Sequence, residues 1–111
     1  VATLDVANLG PSLTGVGAYV HVYQKLDQRV RYSPRIKVYP GNPGAGDATT
    51  IAIPHDAEQE PYVTGSVTVS RAVLRKALHF ADLNRDVLTR YWANPDMGTD
   101  ELLGELVTQV E

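Results

Sequence analysis

The sequence predicts an α+β fold: a small antiparallel sheet of three to five strands, a long C-terminal helix packed across one face, and a short final helix. Three observations carry this expectation. Residues 18–23, 29–32, 35–39, 49–53 and 62–69 alternate apolar and polar side chains or are short β-branched runs, as half-buried strands do. Residues 70–94 are the only long stretch with helical period, and they hold the only Trp and the only Phe, Trp92 and Phe80. Hairpin-length connections between the strand-like runs favour antiparallel pairing.

In chain order, residues 1–17 read as either a loose arm or an edge strand, with Val1, Leu4 and Val6 as apolar positions before Gly10-Pro11 and Gly15-Val16-Gly17 interrupt them. Residues 18–23 set Ala18, Val20 and Val22 against Tyr19, His21 and Tyr23. Residues 24–28 are polar enough for a turn, and residues 29–32 alternate again, so the simplest expectation is a hairpin whose polar face carries His21, Arg29 and Arg31. Ser33-Pro34 interrupts that strand, because Pro donates no ladder hydrogen bond. Residues 35–39 then place Ile36 and Val38 inward. Residues 40–47 are a Pro/Gly loop, 49–53 a short strand ended by Pro54, and 55–61 an acidic loop. In residues 62–69, Gly65 marks a bulge or the strand's true end. Ser70 caps the long helix, whose stripe runs through Leu74, Ala77, Leu78, Ala81, Leu88, Tyr91 and Trp92, with Phe80 and Val87 on its flank. Pro95 stops it, and Thr99 caps a second helix from Asp100 to about Val110.

The 111 residues suit one domain, residues 1–111: an arm or edge strand (1–17), a strand-rich part (18–69) and a helical part (70–111). With 43% hydrophobic residues the chain can build a core. A net charge of −3 argues against bulk nucleic-acid binding. The lack of cysteine excludes disulfides and thiolate metal sites and fits a cytoplasmic protein. No apolar run is long enough for a membrane span, and the first residues lack the blocks of an intact signal peptide.

Most catalytic motifs fail. Gly41 and Gly46 have the spacing of a phosphate loop, but Asp47 stands where the phosphate-binding Lys belongs and a strand follows. Gly15-Val16-Gly17 lacks the third Gly of a dinucleotide fingerprint. His55, Asp56 and Glu58, with Glu60 nearby, are the only His/carboxylate cluster; they hold a divalent cation only if the loop folds around it, and the plainer reading is a solvated loop. No catalytic residue can be named and no cofactor is expected.

The helix is more informative. Arg71, Arg75, Lys76, Arg85 and Arg90 face only Asp82 and Asp86 within it, whereas residues 93–111 carry five acids and no Lys or Arg. Either the acidic tail folds back over these bases, or Arg71, Arg75 and Lys76 form a site for an anion or a partner. A DNA-reading helix-turn-helix is rejected, because the second helix carries Asp100, Glu101 and Glu105 and no base. Asn84 sits inside the apolar stripe, and there a buried amide must hydrogen-bond backbone. Phe80, Asn84, Leu88 and Trp92 are the expected structural anchors.

Residues 81–92 (ADLNRDVLTRYW), a short linker and Thr99-Asp100-Glu101-Leu102-Leu103 resemble a family of small bacterial proteins of uncharacterised function. Its members read as a glycine after a strand, an amphipathic helix, a Leu-Asn-Arg … Leu … Trp segment and a short acidic helix. Gly65 and residues 77–92 fit that pattern. The resemblance covers about the last 45 residues well and 34–63 loosely, and some relatives stand beside toxin–antitoxin-like genes. It implies a fold and no site residue. The leading expectation is a small interaction or accessory protein, binding another protein or itself. The alternatives are a metal-dependent small enzyme, or an RNA- or anion-binding module using Tyr19, His21, Tyr23, Arg29 and Arg31, since stacking sheets interleave aromatics with bases.

Overall fold

The computed structural model describes residues 6–24, 33–41, 46–94 and 96–107, without the side chains of residues 6–8 and 12. Its strands are β1 (Val6–Leu9), β2 (Tyr19–Tyr23), β3 (Arg35–Tyr39), β4 (Thr49–Ala52) and β5 (Tyr62–Thr64). Its helices are α1 (Pro11–Thr14), α2 (Arg71–Leu83), α3 (Arg85–Ala93) and α4 (Thr99–Glu105). The strands lie in sequence order, β1-β2-β3-β4-β5, each antiparallel to its neighbour. The fold is therefore α+β, an up-and-down sheet with helices on one face.

Period-2 alternation decides which face is covered. Val20 and Val22 of β2, Ile36 and Val38 of β3 and Ile51 of β4 are fully buried in one cluster with Ala77, Phe80 and Ala81 of α2, Val87, Leu88 and Tyr91 of α3 and Leu102 of α4. Phe80 and Val87, expected on the flank of the stripe, are at its centre, while Leu74 and Leu78 only pack against the rim.

Several boundaries depart from the sequence-based expectations. Of the residues expected to form an arm or an edge strand, 6–9 form the edge strand β1, paired with β2, and Leu9 and Val16 join the core, while Val1 and Leu4 lie outside the described residues. α1 was not expected, although Pro11 at its first turn and Gly15 at φ 76°, whose N–H reaches Pro11 O, are ordinary start and stop signals. Among the described residues the strand that follows β2 and pairs with it is β3, with Tyr19 opposite Tyr39 and His21 opposite Lys37; the hairpin partner expected from the sequence was residues 29–32. Those residues, including Arg29 and Arg31, lie outside the described ones, as do residues 42–45 of the glycine loop and Pro95. β2 ends at Tyr23, and Gln24 beyond it is buried; its Nε2 donates to Asn94 O (2.9 Å) and Met97 O (3.0 Å). The strand expected over 62–69 stops at Thr64, because Gly65 turns the chain at φ 83°. Beyond it, Thr68 N donates to Thr49 Oγ1 (2.7 Å), tying the link to β4.

The single long helix expected over residues 70–94 is instead two helices, α2 and α3. Asn84, at φ −110° and ψ 14°, separates α2 from α3, yet the hydrogen-bond ladder spans the break through Asn84 N to Phe80 O (3.1 Å) and Leu88 N to Asn84 O (2.9 Å). Ser70 caps α2 as expected, its Oγ accepting from Val73 N at 3.2 Å. Thr99 is not a cap: Gly98 takes that place, without a side-chain hydrogen bond, and Thr99 opens α4. α4 ends at Glu105 rather than near Val110, and Leu106 is extended. That extension brings Val107 to Asn84, whose side chain takes Val107 N on Oδ1 (2.6 Å) and gives Nδ2 to Val107 O (2.9 Å) and Phe80 O (3.0 Å). The amide thus pairs with Val107 as a neighbouring strand would.

Candidate functional site

The uncovered face of the sheet gathers the chemistry. Register places His21, Lys37, Thr50 and Thr64 in one row across β2 to β5, with Tyr19 opposite Tyr39 one step along. Tyr19, His21, Tyr23, Arg35, Lys37 and Tyr39 are all half-buried. The His21 ring packs on Tyr39 with centroids 4.8 Å apart and meets Tyr23 edge-on at 5.8 Å. His21 Nδ1 lies 3.2 Å from the Tyr23 hydroxyl, and Lys37 Nζ stands 5.5 Å from the centre of the Tyr23 ring.

These contacts set the electrostatics. Burial, followed by the positive charge of Lys37, holds the His21 imidazole below its usual range. Nε2 of the same ring is buried without a hydrogen-bond partner. Burial first, then a hydrogen bond with Tyr39 and its nearby charge, pushes the Tyr23 phenol above its usual range. At neutral pH the face therefore presents a neutral His21 and a protonated Tyr23 phenol beside Arg35 and Lys37.

Two cavities open on this face. One of about 490 Å³ lies over β2–β5, between Arg35, Lys37 and Trp92. The other, about 400 Å³, runs from Lys37 and Tyr39 to Gly46, Asp47 and Thr68. Trp92 has two roles. It is 6% exposed, as an anchor must be, but it lines the first cavity and stands outside the main core cluster. Phe80, Asn84 and Leu88, the other expected anchors, are buried.

The other candidate residues are dispersed. His55, Asp56 and Glu58 are exposed, and among the described residues no three His, Asp or Glu group to hold a metal. The 55–60 loop is organised by Arg85 instead. Its guanidinium donates to Gln59 O (2.8 Å), Pro54 O (3.1 Å) and Asp56 O (3.1 Å), while the Asp56 carboxylate accepts from Glu58 N (2.9 Å). The acidic tail covers the helix bases only in part. Glu105 makes a two-pronged pair with Arg90 (2.7 and 3.1 Å), which also reaches Asp86 at 3.2 Å, and Asp82 lies 3.5 Å from Arg85. Hydrogen bonding to Arg90 holds the Glu105 carboxyl below its usual range. Arg71 and Arg75 are exposed and Lys76 half-buried, and no acid among the described residues pairs with them.

Arg35, Lys37 and Tyr39 were legible and missed. The alternation that turns Ile36 and Val38 inward turns these three outward, onto the face of His21. Fold and face together define an α+β domain with an open aromatic and basic sheet surface. No family model matches the chain, and neither a curated protein nor a solved structure matches it.

Proposed function

We propose that this protein is a binding module, cytoplasmic and without a catalytic centre of its own, whose open sheet face takes single-stranded RNA. One observation carries the reading: Tyr19, His21, Tyr23 and Tyr39 crowd the uncovered face beside Arg35 and Lys37. Ring faces stack bases without regard to sequence, and interleaved cations follow the phosphates. An acidic chain binds nucleic acid this way through a local patch rather than through bulk charge. Fluorescence anisotropy of a labelled uridine-rich oligonucleotide tests it. Binding appears at about 50 mM salt and weakens steeply as salt rises. Tyr39→Ala weakens it by about 1–3 kcal/mol, the usual worth of a stacked base. Salt-independent binding, or none at low salt, removes the reading.

A second reading is favoured by the exposed pair Arg71 and Arg75, with Lys76 beside them: a protein partner with an acidic surface, in keeping with the resemblance to accessory proteins near toxin–antitoxin-like genes. Charge reversal at Arg71 and Arg75 would abolish that association and leave RNA binding on the sheet intact.

A further inference from the structure

The cavity between Tyr39 and Asp47, of about 400 Å³, lies within the usual range of small-molecule sites, roughly 300–1,000 Å³. Four kinds of group line it. Tyr39 gives a ring, Lys37 a cation, Thr50, Ser66 and Thr68 hydroxyls, and Asp47 a carboxylate. Alternation on β3 turns Lys37 and Tyr39 to the same side, and Thr50 stands opposite Lys37 on β4. Asp47 is exposed and stands between β4 and Gly46, whose φ of 93° is one that glycine adopts freely. The Tyr39 ring is already braced. His21 packs on it with centroids 4.8 Å apart, and the Tyr39 and Tyr23 phenols share a hydrogen bond. The ring therefore loses little freedom when a planar ligand stacks on it.

A sheet that only stacks bases and follows phosphates has no use for Asp47. A carboxylate repels phosphate, so beside a polyanion it weakens binding unless donors of the ligand meet it. Single-stranded RNA offers donors on the Watson–Crick edges of its unpaired bases. Guanine alone of the four bases presents two adjacent donors there, N1–H and N2–H₂, spaced for the two oxygens of a carboxylate. Adenine, cytosine and uracil each set an acceptor beside a donor, and that acceptor would face a carboxylate oxygen. We propose that this cavity reads guanine within single-stranded RNA. The base stacks on Tyr39, its N1–H and N2–H₂ donate to the Asp47 carboxylate, and Lys37 takes the adjoining phosphate. The hydroxyls of Thr50 and Ser66 are then placed for the ribose. This preference rests on the RNA reading above and adds base selection to it.

Anisotropy at about 50 mM salt compares a labelled oligouridine with the same strand carrying one central guanosine. The guanosine strand is expected to bind roughly tenfold tighter, the usual worth of one bidentate base contact. A central adenosine is the control for purine stacking alone and gains less. Inosine, which lacks the N2 amino group, loses part of the gain, and 1-methylguanosine, which lacks N1–H, loses all of it. These arms use the unaltered protein and do not depend on the folding of a variant. In Asp47→Ala the ratio of guanosine-strand to oligouridine affinity falls to about one. Free GMP displaces the guanosine strand only far above that strand's own Kd. Equal binding of the guanosine strand and oligouridine overturns the guanine preference and leaves the RNA reading standing, whereas binding of neither removes both. Adenosine binding as tightly as guanosine, or undiminished affinity for the 1-methylguanosine strand, also overturns the preference. A preserved ratio in Asp47→Ala overturns the role of Asp47, and GMP as tight as the strand overturns RNA as the source of the base.

Discussion

Asn84 carries a prediction that can be worked through atom by atom. The residue is 2% exposed, and its side-chain amide makes three hydrogen bonds, two with the backbone of Val107 and one with Phe80 O. Asn84→Leu keeps the branched shape, with two somewhat larger methyls in place of the amide, and removes all three. Phe80 O is not orphaned, because Asn84 N also donates to it, so the loss falls on the two Val107 bonds. At about 0.5–1.5 kcal/mol each, the expected destabilisation is about 1–3 kcal/mol. Asn84→Asp is a sharper probe. One carboxylate oxygen can still accept from Val107 N, but the other then faces Phe80 O and Val107 O where an N–H₂ stood. Burial and the two carbonyls raise the folded-state pKa of the introduced carboxyl above its unfolded value. Stability is therefore lowest above the folded pKa and is regained as pH falls through it, when the acid can donate to a carbonyl again. Urea denaturation across pH gives the free energies, and amide exchange at Val107 reads the latch itself. An unchanged midpoint in Asn84→Leu with undiminished protection of the Val107 amide would refute the reasoning.

Four further outcomes are expected. Arg85→Met should cost about 1–2 kcal/mol, discounted because the guanidinium is partly solvated, and should raise proteolytic nicking within residues 55–60, with Arg85→Lys failing to restore the loop since an ammonium cannot span three carbonyls. Trp92→Ala should cost about 3–5 kcal/mol by thermal denaturation, the usual loss for a large aromatic that is only 6% exposed. Gly65→Ala should cost about 1–2 kcal/mol through backbone strain alone, since φ is 83° and an added Cβ meets nothing within 4 Å. The depressed pKa of His21 makes its contribution fully present above the unfolded value of about 6.5, and lost as pH falls through the folded one; denaturation midpoints should thus fall on acidification toward pH 5, and less so in His21→Gln.

Local chemistry alone determined a good part of this protein. Alternation in residues 18–23 and 35–39 set which side chains face the helices, because a strand's period of two leaves no other choice once one face is buried. Ser70 fixed the start of α2, and Gly65 the end of β5, through bonds and dihedrals within a few residues of each. The polarity of Asn84 in an apolar stripe announced a backbone partner, although not which one. What lay beyond the sequence was pairing between distant segments. That β2 joins β3, that Val107 closes on Asn84, that Gln24 holds the α3–α4 turn and that Arg85 gathers the 54–59 carbonyls all depend on contacts more than ten residues apart, decided by how a whole core closes. The candidate site divides in the same way. Its outward residues were readable from period, since alternation assigns them to one face. The cavity was not, because it exists only where the end of α3 brings Trp92 over strands that are far from it in the chain.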